Sequence, residues 1–353
     1  MQTAPALRTD WRSQLAELRN LVEHGLDEAI PPGPIGMLEF PGADTNVGNH
    51  LMWLAVSRYL RSKKRHIAYV AHRNNYRTEA MRRAVGEGPI LIAGGAAISG
   101  LWPEVRSLRQ RVIAEFASNP IVILPQTVAF IDRHDRAISR AALDAHPNLT
   151  LLVRDQLSLR LARATYRRIQ VRLVPDLAFL LPVPKRRHPA VHRSIWLRRH
   201  DVEAAGNGWP GAAYRFDWAG HDMRGWPAAY AVLRASGIVS RLRNTVRSEP
   251  VQKIANAALA RMYELIAAQV VAEGNRQADM GEVFVSDRLH GHLLAIVRGQ
   301  PTVAMPDAYG KNEAVFRAWS ERFAHAAWAS TGDEAERAVQ TLLSSGAGHG
   351  TIR

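Results

Sequence analysis

Residues 285–305 read Val285-Ser-Asp-Arg-Leu-His-Gly-His-Leu-Leu-Ala-Ile-Val-Arg-Gly-Gln-Pro-Thr-Val-Ala-Met305. The apolar run just before and into it, Glu282-Val-Phe-Val285, is predicted as a short buried strand. Asp287 is placed to cap a helix, and Leu289, Leu293 and Ile296 recur at helical spacing. Gly299 with Pro301 two residues on is a helix stop, and Thr302-Val-Ala-Met305 reads as the next strand. A strand–helix–strand unit of this kind belongs to a parallel sheet. It puts Arg288, His290 and His292 in the first helical turn, at the carboxyl end of a strand, where such sheets bind ligands. A helix N-terminus favours an anion there. Arginine adds a forked cation, and histidine a group that carries a proton near neutral pH. The expectation is a site that holds a small anion and does acid–base chemistry on it, with His292, two residues on, facing away.

Working outward, short apolar runs alternate with longer amphipathic ones, the pattern of βα units. Helices are predicted around Trp11–Glu28, Asn49–Arg61, Arg77–Val85, Trp102–Ala117 and Ser158–Tyr166. Strands are predicted at Gly36–Phe40, His66–Val70, Pro89–Ala93, Ile121–Leu124, Leu149–Val153 and Gln170–Val174. Residues 181–192 are rich in Pro and basic residues and read as a linker. A second set starts at Arg193–Leu197, followed by a Gly- and Trp-rich loop over 204–225, helices over Trp226–Val246 and Val251–Glu273, and a last helix near Glu334–Leu343. The expected fold class is α/β, with two Rossmann-like domains facing each other across a cleft. Residues 1–180 form the N-terminal domain, 181–192 the linker and 193–353 the C-terminal domain.

Composition bounds the function classes. The chain has 353 residues, 47% of them hydrophobic and 22% charged, which is ordinary for a globular protein. No apolar run approaches the ~20 residues that span a bilayer, and residues 1–10 lack the apolar core of a secretory signal. The absence of cysteine excludes disulfides, thiolate metal sites and a cysteine nucleophile, and fits a cytoplasmic location. The net charge of +14 is carried almost wholly by arginine, since lysine occurs only at 63, 64, 185, 253 and 311. It reads either as solvated basic faces or as attraction to an anionic membrane surface or lipid-linked substrate. No zinc finger, basic zipper or RNP-like motif points to nucleic acid.

Several strand exits carry polar groups. Phe40-Pro-Gly-Ala-Asp-Thr-Asn-Val-Gly-Asn-His50 offers Asp44, Thr45, Asn46 and Asn49 on a βα loop that is not a Walker loop, lacking its Gly-Lys-Ser/Thr ending. Gly94-Gly95 follows a strand, and Gln126 ends Leu124-Pro-Gln126. Arg154-Asp155 and Asp176 follow two more strands; Asp176 reads either as a turn cap or as a group orienting a substrate. In Trp196-Leu-Arg-Arg-His-Asp-Val-Glu203, acidic neighbours would fix the arginine rotamers and leave a guanidinium to clamp an anion. Tyr309-Gly-Lys311 lies beyond the strand after the opening site. No dense cluster of metal ligands is visible, and no metal is expected.

In this order, these motifs resemble the polysaccharide pyruvyl transferase family over roughly residues 36–320. Its most specific part is Arg288-Leu-His-Gly291 with the downstream Tyr309-Gly-Lys311. The resemblance implies transfer of a pyruvyl group from phosphoenolpyruvate onto two sugar hydroxyls as a cyclic ketal, on a fold similar to the two-domain GT-B glycosyltransferases, with no cofactor. It implies that Arg199, Arg288, Leu289 and His290 bind phosphoenolpyruvate. The acceptor implied is a lipid-linked exopolysaccharide unit; together with the basic charge this gives the expectation of a cytoplasmic enzyme that can contact the inner face of the membrane peripherally. Within that chemistry His290 is the candidate acid and Asp44 the candidate base, with Asn46, Asn49, Gln126 and Lys311 as acceptor-side candidates. The chain departs from the family pattern at Asn49, where an acidic residue is usual, and at Ala96 and Ala97, where Gly and Asn are frequent. Two rival readings share the basic cleft: a glycosyltransferase using a nucleotide sugar, and a non-catalytic binder of anions or polysaccharide.

Overall fold

The computed structural model describes residues 10–93, 98–206 and 214–345. Its first half begins with α1 (Trp11–Ala29) and alternates strictly from there: β1 (Ile35–Leu38), α2 (Val47–Ser62), β2 (Ile67–Ala71), α3 (Thr78–Val85), β3 (Ile90–Ile92), α4 (Pro103–Glu115), β4 (Ile121–Gln126), α5 (Arg133–Asp144), β5 (Leu149–Val153), α6 (Gln156–Thr165) and β6 (Gln170–Leu173). The second half holds β7 (His192–Leu197), β8 (Arg215–Phe216), α7 (Pro227–Thr245), α8 (Glu249–Asp279), β9 (Gly281–Ser286), α9 (Leu289–Arg298), β10 (Thr302–Ala304), α10 (Lys311–Val315), β11 (Ala326–Trp328) and α11 (Gly332–Ser344). It is an α/β fold with two sheets, ordered β2-β1-β3-β4-β5-β6 and β11-β10-β9-β7-β8. Among the described residues every pairing is parallel. Helices cover the sheet faces, so the central strands β1, β3, β4 and β5 are buried along their whole length and read as unbroken apolar runs.

Local chemistry sets the helix ends. Asn46 caps α2, its side chain accepting from the Gly48 N–H at 3.1 Å. The helix stop read at Gly299 is a left-handed residue, φ +64, and the Trp11 ring lies so close that a Cβ there would meet it at 2.4 Å. One correction concerns α9: its N-cap is Arg288, not Asp287. The Asp287 carboxylate turns instead to the neighbouring strand exit and accepts the Arg199 N–H at 2.8 Å. Among the elements absent from the sequence reading, α5 has few large apolar residues to mark its inner face, burying only Asp135, Ser139 and Leu143. β8 has two residues and β11 three, too few to show alternation, and β8 lies inside the stretch read as loop.

Residues 181–191 carry no helix or strand. The packing nevertheless crosses that point. Although α7 and α8 follow it in sequence, they pack against the first sheet. The Arg243 Nη1 donates to the Val70 carbonyl at 2.6 Å and its Nη2 to that of Asn75 at 2.9 Å. Gly274 of α8 sits against Val47, where a Cβ would clash at 2.5 Å. Phe40, just past β1, stacks on Tyr263 of α8 with centroids 3.9 Å apart and planes 5° from parallel. One apolar cluster therefore contains residues of both halves, from Met37 and Phe40 to Leu293 and Ile296. Phe40→Ala is expected to cost about 3–5 kcal/mol, since it leaves a cavity between the halves. A fall in melting temperature measured on the full chain checks it.

Candidate active site

In the second sheet the chain runs from β7 outward to β8, then returns to the other side of β7 with β9. The crevice between β7 and β9 is thus the switch point where α/β sheets take ligands. Register then places the side chains. Leu197 pairs with Ser286, so the residues two beyond each strand end, Arg199 and Arg288, stand side by side. Both are buried, and both are held along one edge. Arg199 donates through Nε and Nη2 to the Asp201 carboxylate at 2.8 and 3.1 Å, and its Nη2 lies 2.6 Å from Glu203. Arg288 grips Asp217 through Nε and Nη2, the latter at 2.9 Å, and reaches Asp201 at 3.1 Å. Neither Nη1 has a partner among the described residues, which leaves that end of each guanidinium for an incoming anion. Lys311 completes the cluster through Glu203. Burial alone would raise Asp201, but Arg199 and Arg288 hold it down at about 2. Burial pushes Asp287, behind them, up to about 7.

His290 lies in the first turn of α9. Its Nε2 stands 3.5 Å from the Asp176 carboxylate and 3.4 Å from Arg154 Nη1, which itself donates to Asp176 at 2.7 Å. On the other side the ring abuts Gly48 of α2, where a Cβ would come within 2.6 Å of Nδ1. Burial lowers the His290 pKa below the ordinary imidazole value; Asp176 opposes this, and Arg154 and Lys311 reinforce it. Burial would raise Asp176, but His290 and Arg154 hold it well below the usual carboxylate range. His292 is a packed core histidine. Its Nδ1 faces Thr302 Oγ1 at 3.3 Å, and burial drives it down to about 3.

The cavity these residues open onto has a volume of about 600 Å³. Strand exits of both sheets line it: Glu39 and the 40–49 loop, His72-Arg73-Asn74, Arg154, and the Arg199–Glu203 and Arg288–His290 segments. Leu289, Asn46 and Asn49 lie on its wall, but Asn46 is occupied as the α2 cap. Asp44 also lines it, with both carboxylate oxygens engaged: the Asn46 N–H donates to one at 2.9 Å and Asn49 Nδ2 to the other at 2.6 Å. Of the other two expected acceptor-side residues, Gln126 is off the cavity and Lys311 lines it on the arginine side. Gln126 is buried and braces β4 by donating to the Ala93 carbonyl at 3.2 Å. Lys311 stands with the arginine cluster rather than with Asn46 and Asn49. The Gly94-Gly95 turn, with Ala96 and Ala97, lies outside the described residues. The sequence reading missed Asp217, Trp218 and Glu39, and did not pair Asp176 with His290. Asp217 follows a strand too short to register, and Glu39 looked like the end of an ordinary one. Among the described residues no group of His, Asp and Glu could hold a metal ion.

The sequence model of the polysaccharide pyruvyl transferase family matches residues 46–307, most of the chain. The chain belongs to that family. It is an enzyme, a pyruvyltransferase, and the matched stretch takes in the cavity wall from Asn46 to His290. Relatives agree. The chain is 24% identical over 238 residues to "Putative pyruvyl transferase EpsO" of Bacillus subtilis, covering 66% of this chain and 69% of that protein. It is 23% identical over 291 residues to "Pyruvyl transferase 1" of Schizosaccharomyces pombe, covering 78% and 66%. Among solved structures, the uncharacterized protein KP1_0663 of Klebsiella pneumoniae superposes with a TM-score of 0.58 at 16% identity, covering 89% of this pyruvyltransferase and 99% of that chain, a likeness of fold.

Proposed function

We propose that the cavity binds phosphoenolpyruvate and transfers its pyruvyl group to two hydroxyls of a sugar as a ketal, releasing phosphate. The observation that carries this is the side-by-side pair Arg199 and Arg288, each fixed by acidic partners, with His290 in the first turn of the adjoining helix. The fixed pair suits the carboxylate and phosphate of one small, highly charged donor. In this reading the first sheet faces the acceptor and the second the donor, a GT-B-like arrangement. The acceptor is a lipid-linked repeat unit of an exopolysaccharide. Among the described residues no helix is long and apolar enough to cross a membrane. The shallow groove of Arg133, Arg136, Arg140, Arg167 and Arg168 supplies a basic face for peripheral contact with anionic lipid.

Ketal formation needs a proton at C3 of the donor and a nucleophile at C2. His290 is the acid. Burial favours its neutral form, but the donor's negative charge, brought beside it, favours the imidazolium. Proton uptake should therefore accompany phosphoenolpyruvate binding. Calorimetry at pH 7.5, in buffers of differing ionisation enthalpy, is expected to show uptake in the wild type and its loss in His290→Gln. Equal uptake in both would remove His290 from this role. The scheme calls for no metal or organic cofactor. Transfer itself is tested by supplying phosphoenolpyruvate and a glycoside and following release of phosphate with formation of the sugar ketal.

A further inference from the structure

Glu39 lines the same cavity and has no part in the scheme so far. It follows β1 directly, at the β1/β3 switch point of the first sheet, and precedes the family-matched stretch. Its backbone is left-handed, φ +67, a conformation shared by only one other non-glycine among the described residues, the exposed Lys64. Glu39 instead lies between two buried residues whose positions are fixed. Leu38 pairs with Ala71 and Ile92, and the Phe40 N–H donates to the Ala71 carbonyl at 3.2 Å. Strand alternation would send Glu39 to the Met37 face and Phe40 to the Leu38 face. The left-handed residue resets that alternation: Phe40 joins Met37 in one apolar cluster while Leu38 lies in the other. Glu39 itself is thereby left on the cavity wall rather than in either cluster. Glycine makes such a turn without strain, so a glutamate held there points to a use for its carboxyl.

That carboxyl is poised rather than neutralised. Oε1 is sealed from solvent and has no hydrogen-bond partner among the described residues. Of the ten buried, unpartnered side-chain atoms among the described residues, it alone belongs to a residue that lines the cavity, and such an atom calls for an explanation. The charged groups facing it are Arg109 of α4 and Arg73 after β2, neither within ion-pair distance, with His72, Asp44 and Glu104 on the surrounding wall. Burial raises its pKa to about 7, against the pull of Arg109 and Arg73. Asp44, by contrast, has both oxygens tied to its own loop.

We propose that Glu39 is a catalytic residue of the acceptor side, the base that takes the proton of the attacking sugar hydroxyl. This rests on the ketal-transfer reading. As the hydroxyl oxygen bonds to C2, its O–H bond breaks toward Glu39, and the C2=C3 electron pair takes a proton from His290 at C3. The second hydroxyl then bonds to C2 and the C2–O bond to phosphate breaks. The second hydroxyl's proton restores His290, and the proton held by Glu39 leaves with the phosphate.

The test compares the wild type, Glu39→Gln and Glu39→Gly, using phosphoenolpyruvate and a glycoside that the wild type converts to a ketal. The wild-type kcat should rise with pH through a limb near 7. In Glu39→Gln, kcat should fall at least ~100-fold and the limb vanish, with the KM for phosphoenolpyruvate little changed. Glu39→Gly, relieved of backbone strain, should melt at a higher temperature than the wild type and be equally inactive, separating catalysis from folding. A Glu39→Gln enzyme that keeps the wild-type kcat, or keeps the limb, overturns the assignment. A wild type that forms no ketal from phosphoenolpyruvate overturns the underlying reading instead, and the assignment with it.

Discussion

Arg288→Ala is expected to lower kcat/KM for phosphoenolpyruvate about 1,000-fold. The arginine is buried at the β9 exit and grips Asp217 and Asp201 through its Nε–Nη2 edge. Truncation removes the donor's partner and leaves two partly buried carboxylates facing each other with one cation fewer. Removing one member of a buried, hydrogen-bonded charge pair costs about 4 kcal/mol, which is the expected factor. Arg288→Lys should recover little, because a point charge cannot hold Asp217 along two parallel bonds and still present a free N–H. Steady-state kinetics alongside melting temperature separate loss of the clamp from loss of the fold. A second variant, Arg288→Ala with Asp217→Asn, should regain stability without regaining donor affinity. An unchanged affinity in Arg288→Ala would remove the arginine pair from the donor site.

Gly48→Ala is the second large effect, and it acts through shape alone. The added Cβ would stand 2.6 Å from His290 Nδ1 and 2.8 Å from its Cβ. Those distances are far inside contact, and the nearer half of the ring cannot yield without breaking the Asp176 contact at 3.5 Å. Alanine is otherwise the better helix former by about 1 kcal/mol, so α2 should persist. The expected outcome is a folded enzyme with kcat reduced about 100-fold, since displacement of a reacting group by an ångström has that consequence. Donor affinity should change far less, because the arginines are untouched. Gly237→Ala in α7, where a Cβ meets nothing within 4 Å, is the control and should leave activity alone.

Much of this was legible in the sequence because it depends on period and on chain order. Apolar runs gave the strands of the first sheet. The Gly299 stop fixed the end of α9. The strand exits pointed to Arg288 and His290 and to the Arg198-Arg199 pair, of which the family resemblance singled out Arg199. What could not be read depends on contacts between distant segments. Asp176 lies 114 residues before His290, and only the packing of the two halves brings them within 3.5 Å. The assignment of α7 and α8 to the first sheet follows from Phe40, Val47 and Arg243 contacts, which leave no periodic trace. Asp287 looked like a helix cap because a cap and a cross-strand acceptor share one residue type. The left-handed backbone at Glu39 is invisible for a different reason: the residue type argues against it.

The most direct measurement of the central claim is a full-chain incubation with phosphoenolpyruvate and a panel of lipid-linked or aryl glycosides, reading phosphate release and the mass of the sugar together. The account predicts one phosphate released for each pyruvyl ketal formed on a sugar, with both signals absent in His290→Gln and in Arg288→Ala. Phosphoenolpyruvate that neither binds nor releases phosphate, while a nucleotide sugar is bound and its sugar transferred, would contradict it.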